Sequence, residues 1–165
     1  MDKFSASLAA DKREIVFVPT VYRFQAFAQM AEEFHLNERD VVLTNERIFH
    51  PYMESLGLKC QYVFRESFGK GEPSEEMIQA MYDAIPYGSY DRVVAVGGGA
   101  ILDLSKLLGC QRPSTVHDLF FKRFPVVHEK DVIAVPTTCG TGSECTNISV
   151  AIVKDEKDGV LTGRE

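Results

Sequence analysis

The 165-residue sequence is poor in the features that commit a chain to a membrane, a nucleic acid or an oxidising compartment. No stretch approaches the run of roughly 20 apolar residues that a transmembrane helix needs. The opening MDKFSASLAADKREIVFVP holds no apolar segment of signal-peptide length. Basic residues are in deficit, 18 against 24 acidic ones, for a formal charge of −6. With no block of like charge either, the balance argues against a general nucleic-acid binder. Cys60, Cys110, Cys139 and Cys145 form no C-x-x-C pair, which speaks against a zinc knuckle or a redox motif. They read as reduced thiols of a cytoplasmic protein. His35, His50, His117 and His128 lack metal-ligand spacing and read as structural or surface residues. The NIS at residues 147–149 matches a glycosylation sequon, but without a secretion signal it reads as chance. Linkers, internal repeats and low-complexity segments are absent too.

What is present is an alternation of strand and helix patterns within a length suited to one domain. EIVFVP reads as a strand stopped by Pro19. Apolar residues at Phe27, Ala28, Ala31 and Phe34 then keep the three-and-four spacing of an amphipathic helix beginning at Phe24. DVVLTN (40–45) is a short buried strand, followed by a helix that ends near Leu56 before Gly57; Pro51 predicts a kink or a late start in it. CQYVFR (60–65) is the next strand. A helix follows, with Ser74 as cap, Glu75 and Glu76 in the first turn, and Met77, Ile78, Met81 and Ile85 as its buried face. DRVVAV leads through three glycines into a helix from Ala100 to Leu108. TVHDLFFKRF is a short helix and DVIAVP (131–136) a strand. NISVAIVKDEKDGVLTG reads as two strands joined by a polar turn at Asp155 to Gly159. Short apolar strands alternating with helices predict a doubly wound α/β domain with a mostly parallel sheet covered on both faces.

Ligands of such sheets bind beyond the C-terminal strand ends, and three segments fall there. Gly97, Gly98 and Gly99 end one strand and open a helix, where bare backbone can approach an anion and free N–H groups point at it. A tight turn without a ligand fits these glycines equally well, and Asp103 and Lys106 fit a solvated i, i+3 pair. The motif is neither G-x-G-x-x-G nor a Walker A loop, and FPVVHEKDVIAV downstream offers no clear match to the acidic ribose ligand of such a fingerprint. PTTCGTGSECTN (136–147) follows a strand and sets the hydroxyls of Thr137, Thr138, Thr141, Ser143 and Thr146 around Gly140 and Gly142. Backbone amides with hydroxyls suit ribose and phosphate oxygens without adding charge. Two such loops on one sheet edge argue against a plain Ser/Thr-rich connection. At the third strand end, Asn45 either bonds an adenosine ribose or caps the next helix.

Together these residues resemble the iron-containing (group III) alcohol dehydrogenases, which read GGGS-x-x-D-x-x-K after one strand and PTTAGTGSE after the next. Here GGG-A-x-x-D-x-x-K spans 97–106 and PTTCGTGSE spans 136–144, and the likeness covers almost the whole chain. It implies a Rossmann-like fold of the dehydroquinate synthase type, with residues 1–165 as one dinucleotide-binding domain. It also implies a bound NAD, with NADP possible. Gly97, Gly98, Gly99 and Ala100 match the pyrophosphate turn, with Asp103 close behind. Thr137, Thr138, Thr141 and Thr146 match the loop lining the cofactor, and Asn45 falls where many relatives carry an Asp at the adenosine ribose. The wording of NERDVVLTNERIFHPYM, GKGEPSEEM and PTTCGTGSECTNIS resembles members that interconvert 4-hydroxybutyrate and succinate semialdehyde.

Three departures stand out. Ala100 replaces a Ser, and Asn45 replaces the Asp, so its neutral amide does not repel a 2′-phosphate; Glu46 restores some repulsion. The family's divalent metal, iron or zinc, is held by an Asp, a His four residues later and two further His in a helical C-terminal domain. The chain stops at Glu165 before such a set. The resemblance therefore implies the cofactor half of an enzyme, inactive alone, with no catalytic residue or metal ligand within 1–165. For the full-length enzyme it implies a small alcohol or aldehyde substrate and a homodimer or larger assembly. Competing readings are a non-catalytic nucleotide-binding module and a dehydroquinate synthase-like lyase.

Overall fold

In the computed structural model, which describes residues 5–8, 13–16, 19–154 and 156–162, strands and helices alternate over most of the chain. Two short strands, β1 (Ser5–Leu8) and β2 (Arg13–Val16), pair antiparallel as a separate ribbon. The EIVFVP strand is thus met at Arg13–Val16, outside the main sheet, and residues 17 and 18 lie outside the described residues.

The main sheet is wholly parallel, with the order β4-β3-β5-β6: β3 (Asp40–Thr44), β4 (Gln61–Phe64), β5 (Arg92–Gly97) and β6 (Asp131–Pro136). Val42 lies beside both Tyr62 and Val94, and Val94 beside Ile133. The two inner strands are apolar without alternation because both their faces are covered. Val41, Val42, Leu43, Val93, Val94 and Ala95 all have zero exposure.

Val41, Leu43, Val93 and Ala95 face the larger core. There they meet α3 (Glu75–Ala84), α4 (Gly99–Gly109), α5 (Val116–Phe120) and the antiparallel hairpin of β7 (Ile148–Val153) and β8 (Glu156–Leu161). Val42, Val94 and Val96 face a smaller core with Met30 of α1 (Phe27–Glu33), Met53, and Ile48 and Phe49 of α2 (Glu46–Tyr52). The hairpin lies over α4, so the helix is enclosed rather than amphipathic, and every residue from Ile101 to Gly109 is buried.

Three local expectations are corrected. α1 is shorter than its pattern: Phe24 precedes it and packs edge-on against Phe34, while Met30 and Ala31 are buried and Ala28 is exposed. Pro51 does not delay α2, which starts at Glu46. It sits in the last turn, and the chain passes through a 3₁₀ turn (Glu54–Leu56) to Gly57 at φ 58°. The polar turn is shorter than its pattern, because Val153 pairs with Glu156 and Gly159 lies inside β8; Lys154 takes a left-handed backbone conformation. α3 follows its pattern, with the Ser74 hydroxyl accepting from the Met77 amide at 3.3 Å. Among the described residues no helix is long and apolar enough to cross a membrane.

Candidate functional site

The chain leaves β3 toward β4 on one side and β5 toward β6 on the other, so the sheet has its topological switch between β3 and β5. A crevice at such a switch, beyond the carboxyl strand ends, is where open α/β sheets hold ligands. Three strand ends are joined there. The Thr44 hydroxyl donates to the Val96 carbonyl at 2.9 Å, and the Thr137 amide donates to the Gly97 carbonyl at 3.0 Å.

Gly98 is the N-cap of α4, with extended backbone and no side chain capping the helix. Its carbonyl accepts from Ile101 and Leu102 at 3.0 and 3.1 Å. The amides at the start of a helix have no partner inside it, so those of Gly99 and Ala100 are positioned to meet an acceptor. The glycines are not required by torsion, since none of Gly97, Gly98 and Gly99 has positive φ. They are required by space. A Cβ on Gly97 would collide with Ile101, one on Gly98 would lie 3.1 Å from Thr138 Oγ1, and one on Gly99 would lie 2.9 Å from Thr141 Cγ2. The expectation that bare glycine admits an anion is thereby sharpened. The threonine loop fills the side-chain direction, and the N–H direction is what the turn offers a ligand.

That loop departs from β6 at Pro136. Thr137, Thr138, Cys139 and Thr141 are exposed, and Gly140 and Gly142 turn the chain at φ 118° and 65°, values that favour glycine. Ser143, by contrast, is buried; its amide donates to Thr141 Oγ1 at 3.4 Å. Thr146 stands apart from the other threonines, because its hydroxyl accepts from the Lys106 ammonium at 3.1 Å. The solvated Asp103–Lys106 pair becomes a buried one: the ions are 3.0 Å apart and their side chains 13% and 10% exposed. Ser149 Oγ donates to the Asp103 carbonyl at 2.8 Å, so the sequon's hydroxyl is an internal tie.

Asn45 caps α2, its Oδ1 accepting from the Ile48 amide at 3.0 Å. The Glu66 carboxylate accepts from the neighbouring Glu46 amide at 3.0 Å, which sets two acidic side chains beside Asn45. The structure thus gathers Gly97, Gly98, Gly99, Ala100, Thr137, Thr138 and Thr141 at one place. It puts Asn45 on the adjoining strand end, and Asp103 and Thr146 around Lys106 along the helix. Two residues were missed as parts of this region. Lys106 was signalled by its i, i+3 spacing from Asp103, whereas Glu66 had no local signal.

Amides at a helix start, uncharged hydroxyls and exposed backbone suit the phosphates and sugar of an extended nucleotide. They do not suit a metal, and among the described residues no three His, Cys, Asp or Glu side chains gather closely enough to hold one. Two surface hollows of about 420 and 540 Å³, lined by residues such as Glu75 and Thr115 or Phe24 and His35, lie away from these loops. No residue of the glycine turn or the threonine loop lines either hollow, so the candidate site is identified by its chemistry.

Comparison with known proteins agrees with this fold. The family described as iron-containing alcohol dehydrogenase matches residues 14–164. The 4-hydroxybutyrate dehydrogenase of Clostridium kluyveri is 42% identical over 136 residues, covering 82% of this chain and 37% of that protein. A probable alcohol dehydrogenase EutG of Salmonella typhimurium is 38% identical over 62% of this chain and 26% of its own length. Among solved structures, an iron-containing alcohol dehydrogenase of Thermotoga maritima superposes with a TM-score of 0.63 at 25% identity, over 82% of this chain and 40% of that one. A sulfoacetaldehyde reductase of Bifidobacterium kashiwanohense in complex with NAD+ gives 0.64 at 23%, over 81% and 37%, and shares the fold. The chain therefore spans little more than a third of the first of these relatives.

Proposed function

The chain belongs to the iron-containing alcohol dehydrogenase family, and from that premise we propose that residues 1–165 are the dinucleotide-binding domain of an NAD(P)-dependent oxidoreductase acting on 4-hydroxybutyrate and succinate semialdehyde. The observation that carries the cofactor reading is the interlock of Gly98 with Thr138 and Gly99 with Thr141 at the switch point. It presents the first amides of an 11-residue helix beside a row of hydroxyls. The substrate reading rests on the likeness to the clostridial dehydrogenase.

In this reading the amides of Gly99 and Ala100 donate to the pyrophosphate, assisted by the positive end of the α4 dipole. Thr137, Thr138 and Thr141 donate to phosphate and ribose oxygens without adding charge. The buried Asp103–Lys106 pair and Thr146 back the loop from behind. The Asn45 amide meets the adenosine ribose. Being neutral it tolerates a 2′-phosphate, while the Glu46 and Glu66 carboxylates oppose one, so NAD is favoured only modestly. When bound, the nicotinamide supplies the hydride acceptor or donor for the alcohol–aldehyde couple. The metal that the family implies does not fit any set of described residues, and no step is assigned to it. No proton-transfer group is assigned within 1–165 either. The setting is a reducing cytoplasm, in keeping with four free thiols, and the full-length enzyme is a homodimer or larger.

Calorimetric titration of the chain with NADH and NADPH tests this reading. Binding of NADH is expected, together with its marked loss in the Thr138→Val, Thr141→Val double variant. Asn45→Asp keeps the α2 cap and adds a charge, and should move the preference toward NADH by severalfold, on the order of 1 kcal/mol. No binding of either dinucleotide at millimolar concentration would sink the proposal. Residues 1–165 by themselves are expected to bind without turning over 4-hydroxybutyrate.

A further inference from the structure

Lys106 lies two turns into α4, about 10 Å along the axis from Gly99 at 1.5 Å per residue. An ammonium has three donors, and each has an acceptor: Asp103 Oδ1 at 3.0 Å, Thr146 Oγ1 at 3.1 Å and the Ile148 carbonyl at 2.6 Å. With its side chain 10% exposed, no donor remains for a phosphate. A buried ammonium needs a carboxylate and full hydrogen bonding to persist. Here the carboxylate comes from the same helix, while the other two bonds cross to the far end of the threonine loop and the first residue of β7. The near end of that loop is held by the Thr137–Gly97 backbone bond and by the glycine interlock. The loop is therefore held at both ends, to the end of β5 and the start of α4 at one and to Lys106 of α4 at the other, remote from the helix start.

We propose that Lys106 is a positioning residue: it holds the 137–147 loop in its binding shape against α4 and so raises dinucleotide affinity without touching the dinucleotide. The affinity half rests on the dinucleotide reading above; the hold on the loop does not. A loop ordered in advance loses less freedom on binding than one that must be ordered by the ligand.

Amide hydrogen exchange without dinucleotide, on the unaltered chain and on Lys106→Met, is the test. Loss of a charge-assisted tie predicts exchange at Ser143 and Cys145 faster by about tenfold or more. The amides of β3 and β5 should keep their rates, which a merely structural role would not allow. NADH affinity should fall by a similar factor. Thr146→Val, which removes the loop's own acceptor, should act in the same direction, and adding it to Lys106→Met should change little further. Unchanged exchange at Ser143 and Cys145 in Lys106→Met, or full additivity of the two substitutions, overturns the proposal. If Lys106→Met loses the sheet as well, Thr146→Val alone decides: unchanged loop exchange overturns the proposal and faster exchange with a protected sheet supports it. A chain that binds no NADH refutes the dinucleotide reading and the affinity half with it, while the exchange comparison still decides the hold on the loop.

Discussion

Where β3, β5 and β6 begin, the sheet is closed by ions and aromatic rings; where they finish, it carries glycine, amide and hydroxyl. At the first end Asp40 and Arg92 head neighbouring strands in register, joined by two bonds of 2.7 and 2.9 Å. Arg92 also donates to the Phe34 carbonyl, and the Asn37 amide donates to Asp40. The Asp40 side chain is 3% exposed. Beside it Lys130 donates to the Tyr90 carbonyl and lies 4.2 and 4.5 Å from the Tyr87 and Tyr90 rings, while Arg112 lies 4.4 Å over Tyr82. At the other end Thr137, Thr138 and Thr141 are exposed and the helix start is left without a side-chain cap. Groups that satisfy one another hold a fold together and have nothing left for a ligand. Groups held in place without a partner are what a ligand can use. Stability and binding should therefore respond to different substitutions.

Arg92→Met is the strongest way to break that contrast, since it leaves Asp40 buried and unpaired. The expected cost is about 3–5 kcal/mol, read from urea unfolding, with NADH affinity of the folded fraction unaltered. A cost confined to binding would reverse the roles of the two ends. Thiol modification should separate exposed from enclosed sulfur by orders of magnitude in rate. Cys139 and Cys145 of the loop are exposed, whereas burial pushes the Cys110 thiol up to about 12 and the Cys60 thiol up to about 11. Cys139 and Cys145 should react first at neutral pH, half-buried Cys60 more slowly and buried Cys110 only on unfolding, because the thiolate is the reactive form.

Gly99→Val places a Cβ against Thr141 and should cost about 1–3 kcal/mol of stability by overpacking, but with a loss of NADH affinity that Arg92→Met does not show. Equal affinity would separate the glycine turn from the site. The smallest effect lies in acid. Arg39 holds the exposed Asp91 carboxyl below its ordinary 3.8, and Tyr87 and Gln111 hold Glu129 below 4.5. Their contribution is present above those ordinary values and is lost as pH falls through the lower folded ones. Arg39→Met should flatten the Asp91 part of that acid slope, and salt should weaken it. An unchanged slope would remove Arg39 from the account.

Much of this was readable in one dimension. The Ser74 cap, the buried face of α3 and the glycine turn into α4 depend on residues within four positions of one another, and the structure reproduces them. Ala28 shows where such reading stops, because helical spacing marks a stripe but not how wide a stripe the neighbours will cover. The hairpin turn shows another limit: polar residues at 155–159 suit a loop, yet the register with β7 draws 156–159 into a strand.

The order of short apolar strands and helices, the two loops that end strands, and the neutral, hydroxyl-rich character of the candidate site were determined by the sequence itself. Torsional preference, side-chain period and donor inventory act over a few residues and need no fold to express them. Which strands neighbour one another, and therefore which loops meet, was decided by tertiary structure alone. Thr44 reaches Val96 across 52 positions and Lys106 reaches Ile148 across 42. Asp103 and Lys106 carry the same spacing whether they face water or an enclosing hairpin, and only the packing of β7 and β8 over α4 turned a helix-surface pair into a buried fastening for the loop.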